Sequence, residues 1–193
     1  LQIGGGSNLL FTKDYPGVIL HSKIKDISVQ DNGDCVILKV GAGVVWDDFV
    51  AYAVSNNWYG VENLSYIPGE VGASAVQNVG AYGVEAKDVI ERVYAIEVET
   101  GVETIFTNEE CQYGYRSSVF KTQLKGQYII TYVEYRLGKT PNYKLEYGNL
   151  KSAVGDNPSL QSLRDAIIDI RKQKLPDPSE IGSAGSFFIN PVI

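Results

Sequence analysis

Several residue types that common functional sites need are scarce in this 193-residue chain. It has one histidine and two cysteines, and it has no methionine. His21, Cys35 and Cys111 lie too far apart in the sequence to match the ligand spacing of a zinc site. A serine–histidine–aspartate triad would have to use His21, yet no nucleophile-elbow sequence is present. We therefore expect no metal, and a structural role for His21.

An excess of positive charge and a long apolar run are also missing. The chain has 17 lysines and arginines against 23 aspartates and glutamates, a formal net charge of −6. Without a basic cluster it offers no electrostatic surface for nucleic acid. No run approaches the roughly 20 apolar residues that span a bilayer, and two cysteines are too few for a disulfide scaffold. We expect a cytoplasmic, monomeric protein with no nucleic-acid partner and no membrane partner.

Both ends of the sequence are those expected of a fragment. No initiator methionine is present, and the chain stops at Pro191-Val192-Ile193, inside a segment with the character of a strand. We expect a longer natural protein.

Hydrophobic periodicity predicts a mixture of helices and strands. Two helices are predicted from apolar residues at helical spacing: Trp46, Phe49, Val50, Ala53 and Val54 in the first, and Leu160, Leu163, Ile167 and Ile170 in the second, after the N-cap Ser159. Strands are predicted at 18–22, 27–29, 36–40, 93–99, 103–106 and 128–137. A short capped helical turn is predicted at 107–110. Residues 62–83 show no period, which predicts a long irregular loop with a function.

Two glycine-rich segments are candidates for binding a phosphate-bearing ligand. In Gly4-Gly5-Gly6-Ser7-Asn8, glycine frees backbone N–H groups, and the serine and asparagine add donors. This segment matches neither the P-loop nor the dinucleotide fingerprint, and a tight structural turn is its alternative. The second segment spans residues 68–83, where small side chains permit close approach and amides can bond the edges of a flat ring. A flexible surface loop is the alternative there.

Two further segments each carry a candidate catalytic side chain. Arg116 lies among aromatic residues, where its guanidinium can bind a carboxylate through two hydrogen bonds. A surface arginine packed on tyrosines is the alternative. Ser186 lies in the small, apolar run GSAGSFFINP, which would leave its hydroxyl with little bulk water. Such a hydroxyl suits the delivery of one proton, and a tight turn before a buried strand is the alternative.

Six segments in this order resemble the UDP-N-acetylenolpyruvoylglucosamine reductase family, FAD-dependent enzymes of peptidoglycan precursor synthesis. They are GGGSNLLF, ENLSYIPGEVGASAVQNVGAYGVE, YGYRSSVFK, LEYGNL, KLPDP and GSAGSFFINP. Together they cover nearly the whole chain, and YGYRSSVFK and the Tyr147 segment are more similar to the type I subgroup.

The resemblance implies a fold and a reaction. The fold would be α+β, an FAD-binding domain of the vanillyl-alcohol-oxidase type with mixed sheets and flanking helices. Residues 1–10 would end a first FAD subdomain, 11–175 would form the second, and 176–193 would begin a substrate domain. FAD would be held without a covalent link, and NADPH would donate the hydride. The substrate would be UDP-N-acetylglucosamine enolpyruvate, reduced to UDP-N-acetylmuramate in the bacterial cytoplasm.

The resemblance also implies catalytic roles. Ser186 would protonate the substrate carbon next to the one that receives hydride. Arg116 would polarise the substrate carboxylate and stabilise the negative charge that develops. A glutamate that assists the arginine in the family lies past the last residue of this chain. Ile189 stands where many relatives carry lysine, which we interpret as tolerated variation.

The binding residues that the resemblance implies fall into two groups. Tyr147, Lys174 and Asn190 would lie beside the diphosphate of the sugar nucleotide, although a core tyrosine and a lysine at a helix end are alternatives for the first two. The cofactor-binding residues would all lie in the two glycine-rich segments: Gly4, Gly5, Gly6, Ser7, Asn8, Pro68, Gly69, Val71, Gly72, Ala73, Ser74, Gln77, Asn78, Gly80, Ala81, Tyr82 and Gly83.

Two other functions stay open from the sequence. One is an FAD-dependent oxidase of the same superfamily, against which the run GSAGSFFINP argues. The other is a non-catalytic module that binds flavin or a nucleotide sugar, because the expected glutamate is missing.

Overall fold

The computed structural model describes residues 1–7 and 9–176. Its regular elements, in chain order, are β1 (Gln2–Ile3), β2 (Leu20–His21), β3 (Ile27–Asp31), β4 (Cys35–Gly41), α1 (Trp46–Ser55), α2 (Val71–Gln77), β5 (Gly80–Ala81), β6 (Val84–Glu85), β7 (Ile90–Glu97), β8 (Glu103–Thr107), β9 (Tyr128–Gly138), α3 (Leu150–Val154) and α4 (Leu160–Lys174). Short 3-10 turns lie at Glu62–Leu64, Ala86–Asp88 and Val119–Lys121.

A five-stranded antiparallel sheet forms the centre of the fold, with the strand order β3-β4-β9-β7-β8. Val36, Leu38 and Val40 alternate along β4 and are almost fully buried, whereas their neighbours are half-buried. This alternation directs one face of the sheet towards the helices and the other towards solvent. The predicted strands of this sheet are confirmed, and Asn32-Gly33-Asp34 connects β3 to β4 as a hairpin turn.

The two predicted helices are confirmed, because in each the apolar stripe faces the core. All five residues of the predicted α1 stripe are buried: Trp46, Phe49, Val50, Ala53 and Val54. In α4 the buried apolar residues are Leu160, Leu163, Ile167 and Ile170. The Ser159 side chain accepts a hydrogen bond from Ser162 N at 3.0 Å, the predicted cap.

The capped helical turn predicted at 107–110 is confirmed: Thr107 N donates to the Glu110 carboxylate at 2.8 Å, Glu110 N donates to Thr107 Oγ1 at 3.3 Å, and Cys111 N closes the turn on the Thr107 carbonyl at 3.1 Å. Two local predictions were wrong. The segment 18–22 forms a strand only at Leu20–His21, which pairs in parallel with β1. The segment 62–83, predicted to lack regular structure, contains α2.

Helix α2 was not predicted because its buried face consists mainly of small residues, which give no clear apolar stripe at helical spacing. Val71, Gly72, Ser74 and Ala75 are buried, and two of these four carry little apolar surface. A Cβ on Gly72 would lie 2.9 Å from the Ala42 Cβ, so glycine is what allows α2 to approach the end of β4. Close packing therefore overrides the low helix propensity of glycine at this position.

A second close approach holds the chain after β2 against the end of β4. A Cβ on Gly41 would lie 2.4 Å from the Ile24 carbonyl oxygen, and a Cβ on Gly43 would lie equally close to that of Ser22. The Gly43 N–H donates to the Ile24 carbonyl at 3.0 Å. These contacts bring β2 and His21 towards the N-terminal end of α2.

An ion pair between α1 and α4 anchors the C-terminal helix. Arg164 donates two hydrogen bonds to the Asp47 carboxylate, both at 2.7 Å, and Tyr66 N donates to the same group at 2.5 Å. Burial acts to raise the pKa of Asp47, but the hydrogen bonds from Arg164 and Tyr66 outweigh it, and the pKa is lowered.

We predict that this lowered pKa makes the fold acid-sensitive. The ion pair makes its full contribution to the free energy of unfolding above the pKa that Asp47 has in the unfolded chain, near 3.9. This contribution is lost as the pH falls through the lower pKa that Asp47 has in the folded protein. Asp47→Asn should lower the free energy of unfolding by about 3 kcal/mol at neutral pH. It should also make the free energy of unfolding less dependent on pH in the acid range. Urea unfolding across a pH series measures both effects. Asp48→Asn, at the exposed neighbouring position, is the matched control. Equal acid sensitivity in Asp47→Asn and the parent would contradict the assignment.

Within residues 1–7 and 9–176, no helix has the length and apolar character that crossing a membrane requires. In the same part of the chain, no three histidine, cysteine, aspartate or glutamate side chains gather to hold a metal ion.

Candidate cofactor-binding site

The fold brings the two glycine-rich segments together, although they are far apart in the sequence. A Cβ on Gly4 would lie 3.3 Å from the Ala73 Cβ and 3.5 Å from the Glu70 Oε2. A Cβ on Gly69 would lie 3.7 Å from the Ser7 Oγ. The first segment therefore runs past the N-terminal end of α2, as a shared ligand site requires.

The first segment has open space and free hydrogen-bond donors. A Cβ on Gly5 or on Gly6 would meet no atom within 4 Å, and Gly6 has a φ of +74°, which favours glycine. The backbone N–H groups of Gly5, Gly6 and Ser7 donate no hydrogen bond to any described residue. Successive free N–H groups in a glycine segment form a concave site for an anion such as a phosphate.

A narrow crevice lies beside this segment. Its walls come from α1, from the segment before α2 and from α2 itself: Trp46, Ile67, Pro68, Gly69, Glu70, Ala73, Ser74, Gln77 and Val79. Seven of these nine residues fall within the predicted second segment, and the side chain of Gln77 makes no hydrogen bond to a described residue. The crevice is therefore formed mainly by the second segment.

Several side chains of the second segment are buried or form hydrogen bonds within the protein, so they are not free to bind a ligand. Val71 is fully buried, and the Ser74 hydroxyl donates to the Val71 carbonyl at 2.7 Å. The Tyr135 hydroxyl therefore donates to Ser74 across 2.9 Å, and burial raises the pKa of Tyr135, which keeps it a neutral donor. The backbone N–H groups are engaged as well, because Val71 N donates to the Val44 carbonyl at 2.9 Å and Ser74 N donates to the Glu70 carbonyl at 3.0 Å.

Asn78 ends α2 and is also fully engaged. It adopts a left-handed conformation with a φ of +46°, common at the end of a helix. Its Nδ2 donates to the Gly114 carbonyl at 2.9 Å and to Glu85 at 3.2 Å, and its Oδ1 accepts from Lys87 N at 3.0 Å. The predicted bond from the Asn78 amide to a ring edge therefore has no free group to make it.

The Arg116 side chain contacts the second segment. Its Nη2 donates to the Gly80 carbonyl and its Nη1 to the Asn78 carbonyl at 3.4 Å. A Cβ on Gly80 would lie 2.8 Å from Nη1, so glycine leaves room for the guanidinium. Arg116 has a φ of +52°, a conformation uncommon outside glycine and found disproportionately at functional sites. Since a guanidinium has five donors, others remain for an anionic ligand.

Tyr147 lies beside the β5–β6 hairpin of the second segment. The two-residue turn Tyr82-Gly83 has positive φ at both positions, and the ring of Tyr82 meets that of Tyr147 edge-on at 5.9 Å. Tyr147 is 59% exposed, which excludes the core alternative. Lys174 lies in the last turn of α4, where its charge also suits the helix dipole. Among described residues, no side-chain hydrogen bond or ion pair joins Lys174 to the glycine segments. Asn8, Ser186, Ile189 and Asn190 lie outside the described residues.

The sequence interpretation missed a carboxylate at this site. Glu70 is 8% exposed, and its Oε1 accepts a hydrogen bond from His21 Nε2 at 2.7 Å. Its Oε2 is buried and has no hydrogen-bond partner among the described residues. One signal was available, because Glu70 is the single charged residue in the segment 68–83.

These features fit a dinucleotide that carries phosphates and a flat ring. The open glycines and their free N–H groups suit the phosphates, and the unpartnered Glu70 oxygen needs a hydrogen-bond donor. The fold and the site define a candidate dinucleotide-binding domain.

Comparison with known families agrees with this class. A family model described as an FAD binding domain matches residues 1–106, more than half of the chain. The chain belongs to the FAD-binding domain family, which confirms the predicted α+β fold class and FAD as the cofactor.

The most informative relatives carry one name. The chain is 54% identical over 195 residues to UDP-N-acetylenolpyruvoylglucosamine reductase of Porphyromonas gingivalis, covering 99% of this chain and 58% of that protein. It is 55% identical over 196 residues to the reductase of Bacteroides fragilis, covering 100% of this chain and 59% of that protein. The chain thus spans 58–59% of the length of these relatives.

A solved structure supports the fold alone. UDP-N-acetylenolpyruvylglucosamine reductase from Thermus caldophilus superimposes with a TM-score of 0.64 at 23% identity, covering 92% of this chain and 57% of that one.

Proposed function

We propose that the protein is an NADPH-dependent flavin reductase that converts UDP-N-acetylglucosamine enolpyruvate to UDP-N-acetylmuramate. The observation that carries the proposal is Arg116, held by backbone carbonyls on the same segment that borders the flavin-binding crevice. The identity of more than half to reductases from two genera, over essentially the whole chain, supports the same activity.

The proposed reaction needs a cation close to the cofactor. A bound flavin would supply a ring that takes a hydride from the nicotinamide and passes it to the substrate. Arg116 would bind the enolpyruvyl carboxylate with the donors that Gly80 and Asn78 leave free. Because those carbonyls hold the guanidinium in place, little reorganisation is needed as charge develops on the substrate.

Other residues would bind the rest of the substrate and complete the proton balance. Tyr147, exposed beside the hairpin, would donate a hydrogen bond from its phenol O–H to the substrate diphosphate, which Lys174 and Asn190 would also bind. Ser186 would deliver the proton. The proposal includes a monomer in the cytoplasm, with no nucleic acid or membrane as partner.

A turnover assay of the natural protein tests the proposal. NADPH oxidation should require the enolpyruvyl substrate and should yield the lactyl ether. Oxidation of NADPH with oxygen alone, at a comparable rate, would favour the oxidase. A flavin that binds but is not reduced by NADPH would favour the non-catalytic module.

A further inference from the structure

Glu70 carries a buried oxygen whose partner is missing from the described residues. It directly precedes α2, lines the crevice, and has a side chain only 9% exposed. The Oε2 atom has no hydrogen-bond partner within residues 1–7 and 9–176. Leaving such a group unsatisfied destabilises the fold, so a native structure seldom keeps one without a reason.

The position of Oε2 shows where its missing partner comes from. The atom lies 3.5 Å from the point that a Gly4 Cβ would occupy, where the two glycine-rich segments meet. A carboxylate oxygen can only accept hydrogen bonds. A phosphate has no proton to donate at neutral pH and would be repelled, so the partner is a hydroxyl or an N–H group.

Two basic residues hold the carboxylate in this orientation. Lys23 Nζ lies 3.2 Å from His21 Nδ1, and His21 Nε2 lies 2.7 Å from Glu70 Oε1. Because an ammonium can only donate, the Nδ1 atom accepts, and the proton of a neutral His21 lies on Nε2. His21 therefore donates to Oε1, which leaves Oε2 as the carboxylate oxygen without a partner.

We propose that Glu70 Oε2 accepts a hydrogen bond from a hydroxyl of the sugar-alcohol or ribose part of the bound flavin dinucleotide. His21 and Lys23 are positioning residues for this contact. A hydroxyl is favoured over a ring N–H because the site adjoins the open glycines suited to phosphates, and hydroxyls are the donors next to phosphates in a dinucleotide. The inference rests on the proposed function in that it requires flavin to bind here.

The test is the dissociation constant of FAD, measured by quenching of flavin fluorescence on the apoprotein. Glu70→Gln should weaken FAD binding by about 10- to 100-fold, since a hydrogen bond to a charged group is lost and an amide N–H can face the hydroxyl. The matched control is Glu134→Gln, a carboxylate whose side chain is also 9% exposed and whose single basic partner is Arg92 at 2.8 Å. Its FAD affinity should equal that of the parent.

Variants at His21 distinguish positioning from mere packing. His21→Gln keeps a donor that can reach Glu70 and should bind FAD almost as the parent does. His21→Phe loses the donor and should bind several-fold more weakly. Equal affinities for the two variants would contradict the positioning role.

A measurement on the unaltered protein is independent of whether the Glu70 variant folds. FAD analogues that each lack one hydroxyl should include one that binds the parent at least about 10-fold more weakly than FAD does. If Glu70→Gln binds FAD as tightly as the parent or more tightly, or if every such analogue binds the parent like FAD, the inference is wrong. A parent protein that binds no FAD would instead contradict the proposed function and this inference together.

Discussion

Arg116→Ala is expected to lower the turnover of the enolpyruvyl substrate by about 100- to 1,000-fold, the usual loss when a charge-stabilising donor is removed. The guanidinium rests on the carbonyls of Gly80 and Asn78, and the chain places it there through a left-handed residue conformation. No water molecule could replace that preorganised charge. The measurement is steady-state NADPH oxidation in the natural protein at saturating substrate.

A control separates catalysis from folding in this experiment. Arg136→Ala removes an arginine that binds Glu91 through two hydrogen bonds on the solvent-exposed side of the sheet, and it should leave turnover unchanged. Arg116→Ala should still bind FAD, and NADPH should still bleach it. Arg116→Lys should recover only part of the activity, because an ammonium group cannot form the two parallel hydrogen bonds that a planar guanidinium makes to a carboxylate. Normal turnover by Arg116→Ala would overturn its catalytic role.

Gly5→Val is expected to abolish most FAD binding without destabilising the apoprotein. A Cβ at this position meets no atom within 4 Å, and Gly5 does not require a positive φ. The apoprotein therefore has room for the added side chain. With a phosphate bound at this segment, the same space would be occupied and the side chain would clash with the ligand. Loss of two charge-assisted hydrogen bonds predicts an affinity at least about 100-fold weaker. Flavin fluorescence titration and the thermal midpoint of the apoprotein measure the two effects.

Gly138→Val is the matched control for that variant. Gly138 ends β9, also without a required positive φ, and its nearest neighbours would lie 3.9 Å from a Cβ. It should change neither FAD affinity nor, by more than a small amount, the thermal midpoint. If Gly5→Val bound FAD like the parent, the phosphates would not lie on the first glycine-rich segment.

Local patterns in the sequence were sufficient to predict the helices and strands whose buried faces consist of large apolar residues. Helix α4 has a serine cap and an apolar stripe at helical spacing, and both are visible without a structure. The strands of the main sheet alternate or carry β-branched runs. Helix α2 could not be predicted in the same way, because Gly72 is required by the distance to Ala42, a residue remote in the sequence.

The same distinction applies to the site. Clustered glycines identified the two segments as candidates, and an arginine among aromatic residues identified Arg116, although each pattern also had a purely structural alternative. The pairing of His21 with Glu70 depends on β2 lying against the end of β4, which in turn depends on Gly41 and Gly43. No periodicity reports such a contact, so a lone histidine was interpreted as structural. The roles of Ser186 and Asn190 stay predictions.

The most direct test of the flavin site is the visible absorbance spectrum of the protein after incubation with FAD and removal of free ligand. We predict flavin bands in a stoichiometric amount, held between the two glycine-rich segments, that bleach when NADPH is added without oxygen. A colourless protein that releases all its FAD during the separation would contradict the site described for these residues.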